Sequence, residues 1–180
     1  MAVYGGFQPW KAVKSTKLYQ IAASYGTSLF KGDPLSRANT GYVITWTAGV
    51  DLVGVAVAFF DVNMNPIPYW VASTATKAFV LVADHPEQEF IAAEDADTSQ
   101  LAQADVFLNV TPIMGTGDAT TGQSAAMIDS NTKNTTSLLG FRLIALAPTM
   151  GNAVYSAALN PNPRWIVVPN DHQARDTTGI

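Results

Sequence analysis

The sequence predicts an all-β chain, an antiparallel β-barrel or β-sandwich of about eight to ten strands with extended N- and C-terminal arms. Short runs rich in Val, Ile, Phe, Tyr and Thr recur along it, separated by turn residues. No amphipathic stretch of helical length lies between them, which excludes the alternation of a parallel α/β fold. The strongest runs are apolar at odd and even positions alike. In residues 53–60, Val53, Val55, Val57 and Phe59 alternate with Gly54, Ala56, Ala58 and Phe60. Residues 141–146 behave similarly, apart from Arg142. A sheet with one wet face alternates apolar with polar, so these strands are expected to be covered on both sides.

Residues 1–15 read as an arm, because Gly5, Gly6 and Pro9 oppose a helix. Tyr4, Phe7 and Trp10 recur every three residues, and an extended polyproline-like path would set the three rings on one side. They either pack on their own domain or latch a neighbouring subunit; the latch is the expectation carried forward. The body spans 16–168. Its strand candidates are 16–22, 42–47, 52–60, 69–73, 77–83, 89–93, 106–111, 138–147 and 165–168. Loops are expected at 63–68 (NMNPIP), 115–122 (GTGDATTG) and 129–136 (DSNTKNTT), and a helical turn or two at 98–105. Beyond Pro169 a polar tail, 169–180, ends on Ile180 and reads as a second strap.

Composition narrows the function. Of the 180 residues, 48% are apolar, which excludes general disorder. Only 13% are charged, about half the usual ~25%, so much of the exterior is expected to lie against other protein. A net charge of −4 argues against nucleic-acid binding. No apolar run approaches the ~20 residues of a membrane helix, and the first residues do not form a secretory signal. With no cysteine, there is no disulfide, thiolate site or cysteine nucleophile.

No chemical constellation emerges. His85 and His172 are solitary, and there is no Gly-x-Ser-x-Gly elbow. Asp61, Asn63 and Asn65 imitate the start of a calcium loop, but Pro66 and Ala72 stand where Gly and Glu are needed. Glu87, Glu89, Glu94, Asp95 and Asp97 read as a solvated acidic edge. Trp10, Trp46, Trp70 and Trp165 each sit in or beside apolar segments and are expected to fill core or interface. No enzyme activity, cofactor or metal is expected.

Several segments, in order, resemble head decoration (cement) proteins of tailed bacteriophages. They are Ala48-Gly-Val50 with Gly54-Val55, Tyr69 with residues 80–82, residues 83–90 (ADHPEQEF) with Glu94-Asp95, residues 101–109 (LAQADVFLN), residues 121–124 (TGQS) and residues 166–173 (IVVPNDHQ). The resemblance implies a β-rich virion protein on the capsid exterior, made in the host bacterial cytoplasm. It would bind the major capsid protein and copies of itself, as a homo-oligomer such as a trimer, with no nucleic acid or membrane partner. Capsid or subunit contacts are expected at Tyr4, Phe7, Trp10, His172 and Ile180. The alternative is a carbohydrate- or host-surface-binding β module using exposed tryptophans.

Overall fold

A computed structural model describes residues 5–95, 97, 99–148 and 162–175. Among them the strands are β1 (Gln8–Pro9), β2 (Thr16–Ile21), β3 (Pro34–Arg37), β4 (Val43–Thr45), β5 (Leu52–Phe60), β6 (Pro66–Ile67), β7 (Ala78–Ala83), β8 (Phe90–Ala93), β9 (Asn109–Ile113), β10 (Met127–Asn134), β11 (Phe141–Leu146) and β12 (Arg164–Pro169). A 3₁₀ turn, Gln103–Asp105, falls within the expected helical turn. The strands form two antiparallel sheets of six. The first runs β1-β8-β12-β11-β9-β10; the second runs β2-β7-β5-β3-β4, with β6 paired to β5. Of the two expected architectures, this is the sandwich rather than the closed barrel.

The doubly apolar runs have the cover they need. From β5, Leu52 and Val55 enter a core between the sheets, which the first sheet fills with Phe90, Val110, Ile128, Phe141, Leu143, Trp165 and Val167. Val53, Ala56 and Phe59 point the other way, into a second core with Ile21, Leu29, Leu35, Val43, Trp70, Val80 and Val82. Residues between β2 and β3 help to close that core, with Leu29 bridged to Trp70. Two irregularities in β5, against β3 between Leu52 and Gly54 and against β7 between Ala56 and Ala58, let residues three apart, such as Leu52 and Val55 or Ala56 and Phe59, share a side. The outer face of the first sheet carries a small cluster of its own, Ile91, Ala147 and Ile166, against which Trp10 and Ile144 pack.

Residues 69–73, expected as a strand, are not one; residues 34–37, for which no strand was expected, form β3; and the expected loops 63–68 and 129–136 contain β6 and most of β10. β10 is an edge strand of the first sheet, and an irregularity between Asp129 and Asn134 breaks its register with β9. A run as polar as Asp129–Asn134 at the rim of a sheet shows no apolar alternation to read.

The described part of the N-terminal arm is stitched into the body. Gln8 and Pro9 pair with Ile91 and Phe90, and the Trp10 amide donates to the Glu89 carbonyl at 2.8 Å. The Phe7 amide donates to the Gly32 carbonyl at 2.9 Å. Glycine is required at this crossing: a Cβ on Gly6 would lie 2.5 Å from the Gly32 oxygen, and both residues have positive φ. Phe7 itself is fully buried and stacks on Phe141, with centroids 4.5 Å apart. The latch expectation therefore fails for Phe7, whose ring completes its own core. The Phe7→Ala variant is expected to lose about 3–5 kcal/mol of stability, measured by urea unfolding; a loss below 1 kcal/mol would return the ring to the role of an external latch.

Candidate functional site

Of the residues expected to make contacts, Tyr4 and Ile180 lie outside the described residues. Phe7 is core, and Trp10 is half-buried on the outer face of the first sheet. His172 is buried, at 2% exposure, where the chain crosses from β12 to the second sheet. The sequence thus put these residues at the surface, and the fold puts Phe7 and His172 inside. Trp46, Trp70 and Trp165 are buried too, so none offers a flat platform to a sugar.

The acidic residues divide by environment. Glu89 and Glu87 form surface pairs with Lys11 (3.1 Å) and Lys14 (3.8 Å), which add little stability. Asp84 is enclosed. Burial pushes its carboxyl up, but bonds from Ser15, Lys17 and Tyr19 outweigh burial and hold it below the usual range. The same environment pushes the Tyr19 phenol up to about 12, through burial first and then the Asp84 charge. His85 accepts the Glu87 amide at Nδ1 (3.1 Å), and Asp61 accepts the amides of Asn63 and Asn65 (both 2.8 Å). Both groups shape turns, as their sequence context suggests.

Asp95 and Asp97 meet a partner that sequence proximity could not show. Asp129, on β10, brings a third carboxylate, and an oxygen from each of the three lies within 4.8 Å of the others. They gather where the chain beyond β8 touches β10 through the bridge between Glu94 and Ile128. Hard oxygen donors of this kind suit a divalent cation such as calcium. Several are already engaged: the Ser130 hydroxyl lies 2.8 Å from Asp95 and 2.9 Å from Asp97, and Asn131 donates to Asp97 and Asp129. Beside them, burial pushes Glu94 up to about 7, against bonds from the Trp165 indole and the Leu101 amide and with help from the Asp95 and Asp97 charges. Burial likewise raises Asp129, assisted by Asp95 and Asp97.

A different feature stands out on the surface. Phe107, between the 3₁₀ turn and β9, is 74% exposed, and its backbone sits at φ 76°. A bulky residue in the left-handed region is strained by roughly 1–3 kcal/mol, and such strain collects at functional positions. Its amide is fixed to the Leu143 carbonyl at 2.9 Å. Leu138, in the loop before β11, is 59% exposed, and β9 and β11 are neighbours in the first sheet. On the second sheet, Leu18, Leu81 and Ala58 form one cross-strand row, and Gln20, Phe79 and Phe60 form the next. These rows continue the face that holds Ala83 and Val55, but they are half-buried or exposed and carry no charge. The sequence contains no local signal for Phe107, because the strain depends on a turn that only the fold defines.

Compared with protein-family models, curated proteins and solved structures, the chain matches none.

Asp33 supplies a test of the buried electrostatics. It is 3% exposed; Oδ2 accepts the Phe30 amide at 2.8 Å, and no hydrogen bond of ordinary geometry reaches Oδ1 from the described residues. Burial pushes it up to about 6, against the Ser124 hydroxyl and the Phe30 amide. A raised carboxyl favours the folded state fully below its ordinary value and loses that contribution as pH rises through its folded value. Asp33→Asn is therefore expected to stabilise the protein at pH 7.5, on the order of 2 kcal/mol, and to lose this gain by pH 4. Urea unfolding at both pH values checks the sign.

Proposed function

We propose that this protein is a structural component of a virion, a head decoration protein that binds the outer face of the major capsid protein shell and braces neighbouring subunits. The observation that carries the reading is Phe107, an aromatic ring held out into solvent by a strained, hydrogen-bonded backbone. Interfaces concentrate their energy in a few aromatic anchors, surrounded by contacts that mainly exclude water. Leu138 and the uncharged rows on the second sheet provide further adhesive surface. A charged fraction of 13% suits a body that touches protein over much of its exterior. Repetition over a lattice would then convert modest single contacts into firm attachment. The resemblance in segment order supports the same reading. The sugar-binding alternative loses its main support with three of the four tryptophans in the interior.

The purified protein is expected to sediment with undecorated phage shells at micromolar concentration. Phe107→Ser should weaken that association by about thirtyfold, the equivalent of 2 kcal/mol at an interface anchor, without lowering the melting temperature. Failure of the wild-type protein to pellet with shells would end the proposal, and undiminished binding by the variant would remove Phe107 from it.

A further inference from the structure

The last described segment crosses between the sheets. After β12 the chain turns at Asn170, whose side chain donates to the carbonyls of Ser137 and Leu139 (2.9 Å each). It then lies alongside the start of β5. The Leu52 amide donates to the Asp171 carbonyl at 2.8 Å, and the Gln173 amide returns a bond to the Leu52 carbonyl at 3.0 Å. The pairing is parallel and centred on Leu52 and His172.

His172 is the one side chain that this docking buries, and both of its ring nitrogens are committed. Nε2 lies 3.1 Å from the Val53 carbonyl, which can only accept. Nδ1 receives the Ala174 amide at 3.0 Å, and that amide can only donate. Only the neutral imidazole with its hydrogen on Nε2 satisfies both partners. A second proton on Nδ1 would face the Ala174 N–H, break the turn, and leave a cation in a site with 2% exposure.

We propose that residues 170–175 form a proton-gated strap, docked on β5 while His172 is neutral and released when the ring becomes doubly protonated. The charges around the ring are mixed. Asp84 approaches from the end of β7, with Lys17 at 3.1 Å from it, and Asp51 precedes β5, held by Arg37 at 2.7 Å. The strap brings Asp171 and Arg175, and the Arg175 guanidinium donates to the carbonyls of Pro169 and Pro86. Burial dominates and pushes the imidazole below its ordinary value, with Arg175 adding to the fall and the Val53 bond and Asp84 opposing it. A depressed histidine stabilises the docked state fully above about 6.5 and loses that contribution as pH falls through its folded value. Asp33 and Glu94, whose carboxyls are raised, titrate in the opposite sense, and Asp84, whose carboxyl is depressed, in the same sense as His172. The inference is independent of shell binding.

Hydrogen–deuterium exchange, corrected for the intrinsic rate at each pH, tests it on the full chain. Protection at the Leu52, Gln173 and Ala174 amides is expected to fall at least about fivefold between pH 7.5 and 5.0, while Leu143 and Val167 hold theirs. In His172→Gln, which keeps a donor for Val53 but does not titrate, protection should be independent of pH. Unchanged protection at pH 5.0 in the wild type, a fall shared by Leu143 and Val167, or a fall that persists in the variant would each overturn the proposal. Ring nitrogen shifts give a second reading without mutation. The Nε2–H tautomer at pH 7.5, titrating below about 6.5, is expected, and the Nδ1–H tautomer or a higher midpoint would overturn it.

Discussion

Both faces of the second sheet are apolar, and the rest of the molecule is arranged to cover them. β5 makes the demand most sharply, since its alternate residues feed two separate cores. One face is met by the first sheet. The other is closed by the chain between β2 and β3, by Trp70 and by Tyr25. The N-terminal segment is drawn in for the same reason: Phe7 fills the inter-sheet core against Phe141, and the backbone around it crosses the loop at Gly32 without room for a side chain. Where cover runs out, at Leu18, Leu81 and Phe79, apolar surface remains partly open to water.

The low charge content is used selectively. Lys11, Lys14 and Lys17 meet Glu89, Glu87 and Asp84 along the N-terminal segment, tying it to the turn before β8. The buried carboxyls have other partners. Glu94 is bonded to the Trp165 indole at 2.6 Å, and Asp33 caps the turn at Phe30. These groups place polar chemistry where the two sheets and their connections meet, and each makes the fold sensitive to its protonation state.

Much of this was legible in the residues. The doubly apolar runs of β5 and β11 implied two-sided burial, and most strand candidates coincide with strands. His85 and the Asp61 loop read correctly as turn elements, whereas His172, expected at a contact, is buried. The failures have physical reasons. The spacing of Tyr4, Phe7 and Trp10 fits an extended path but says nothing about which body the rings meet. β3 begins at Pro34 and carries Ser36 and Arg37, so it has no strand-like composition. Asp129 joins Asp95 and Asp97 only because the sheet brings together residues more than thirty positions apart. Phe107 is conspicuous by its backbone angle, and His172 by its two bonds, neither of which a sequence displays.

The parallel pairing at Leu52 also sets an order of events. That residue is made early, whereas its partner is 119 to 120 positions later in the chain. During synthesis the start of β5 must wait for this partner until residues 171–173 have emerged. The pairing of β1 with β8 imposes a similar delay on the first strand. Contacts this distant in sequence slow folding and leave sticky edges in the nascent chain. Closure at this edge is therefore a late step, in which residues 171–173 seal a gap beside residues made about 120 positions earlier.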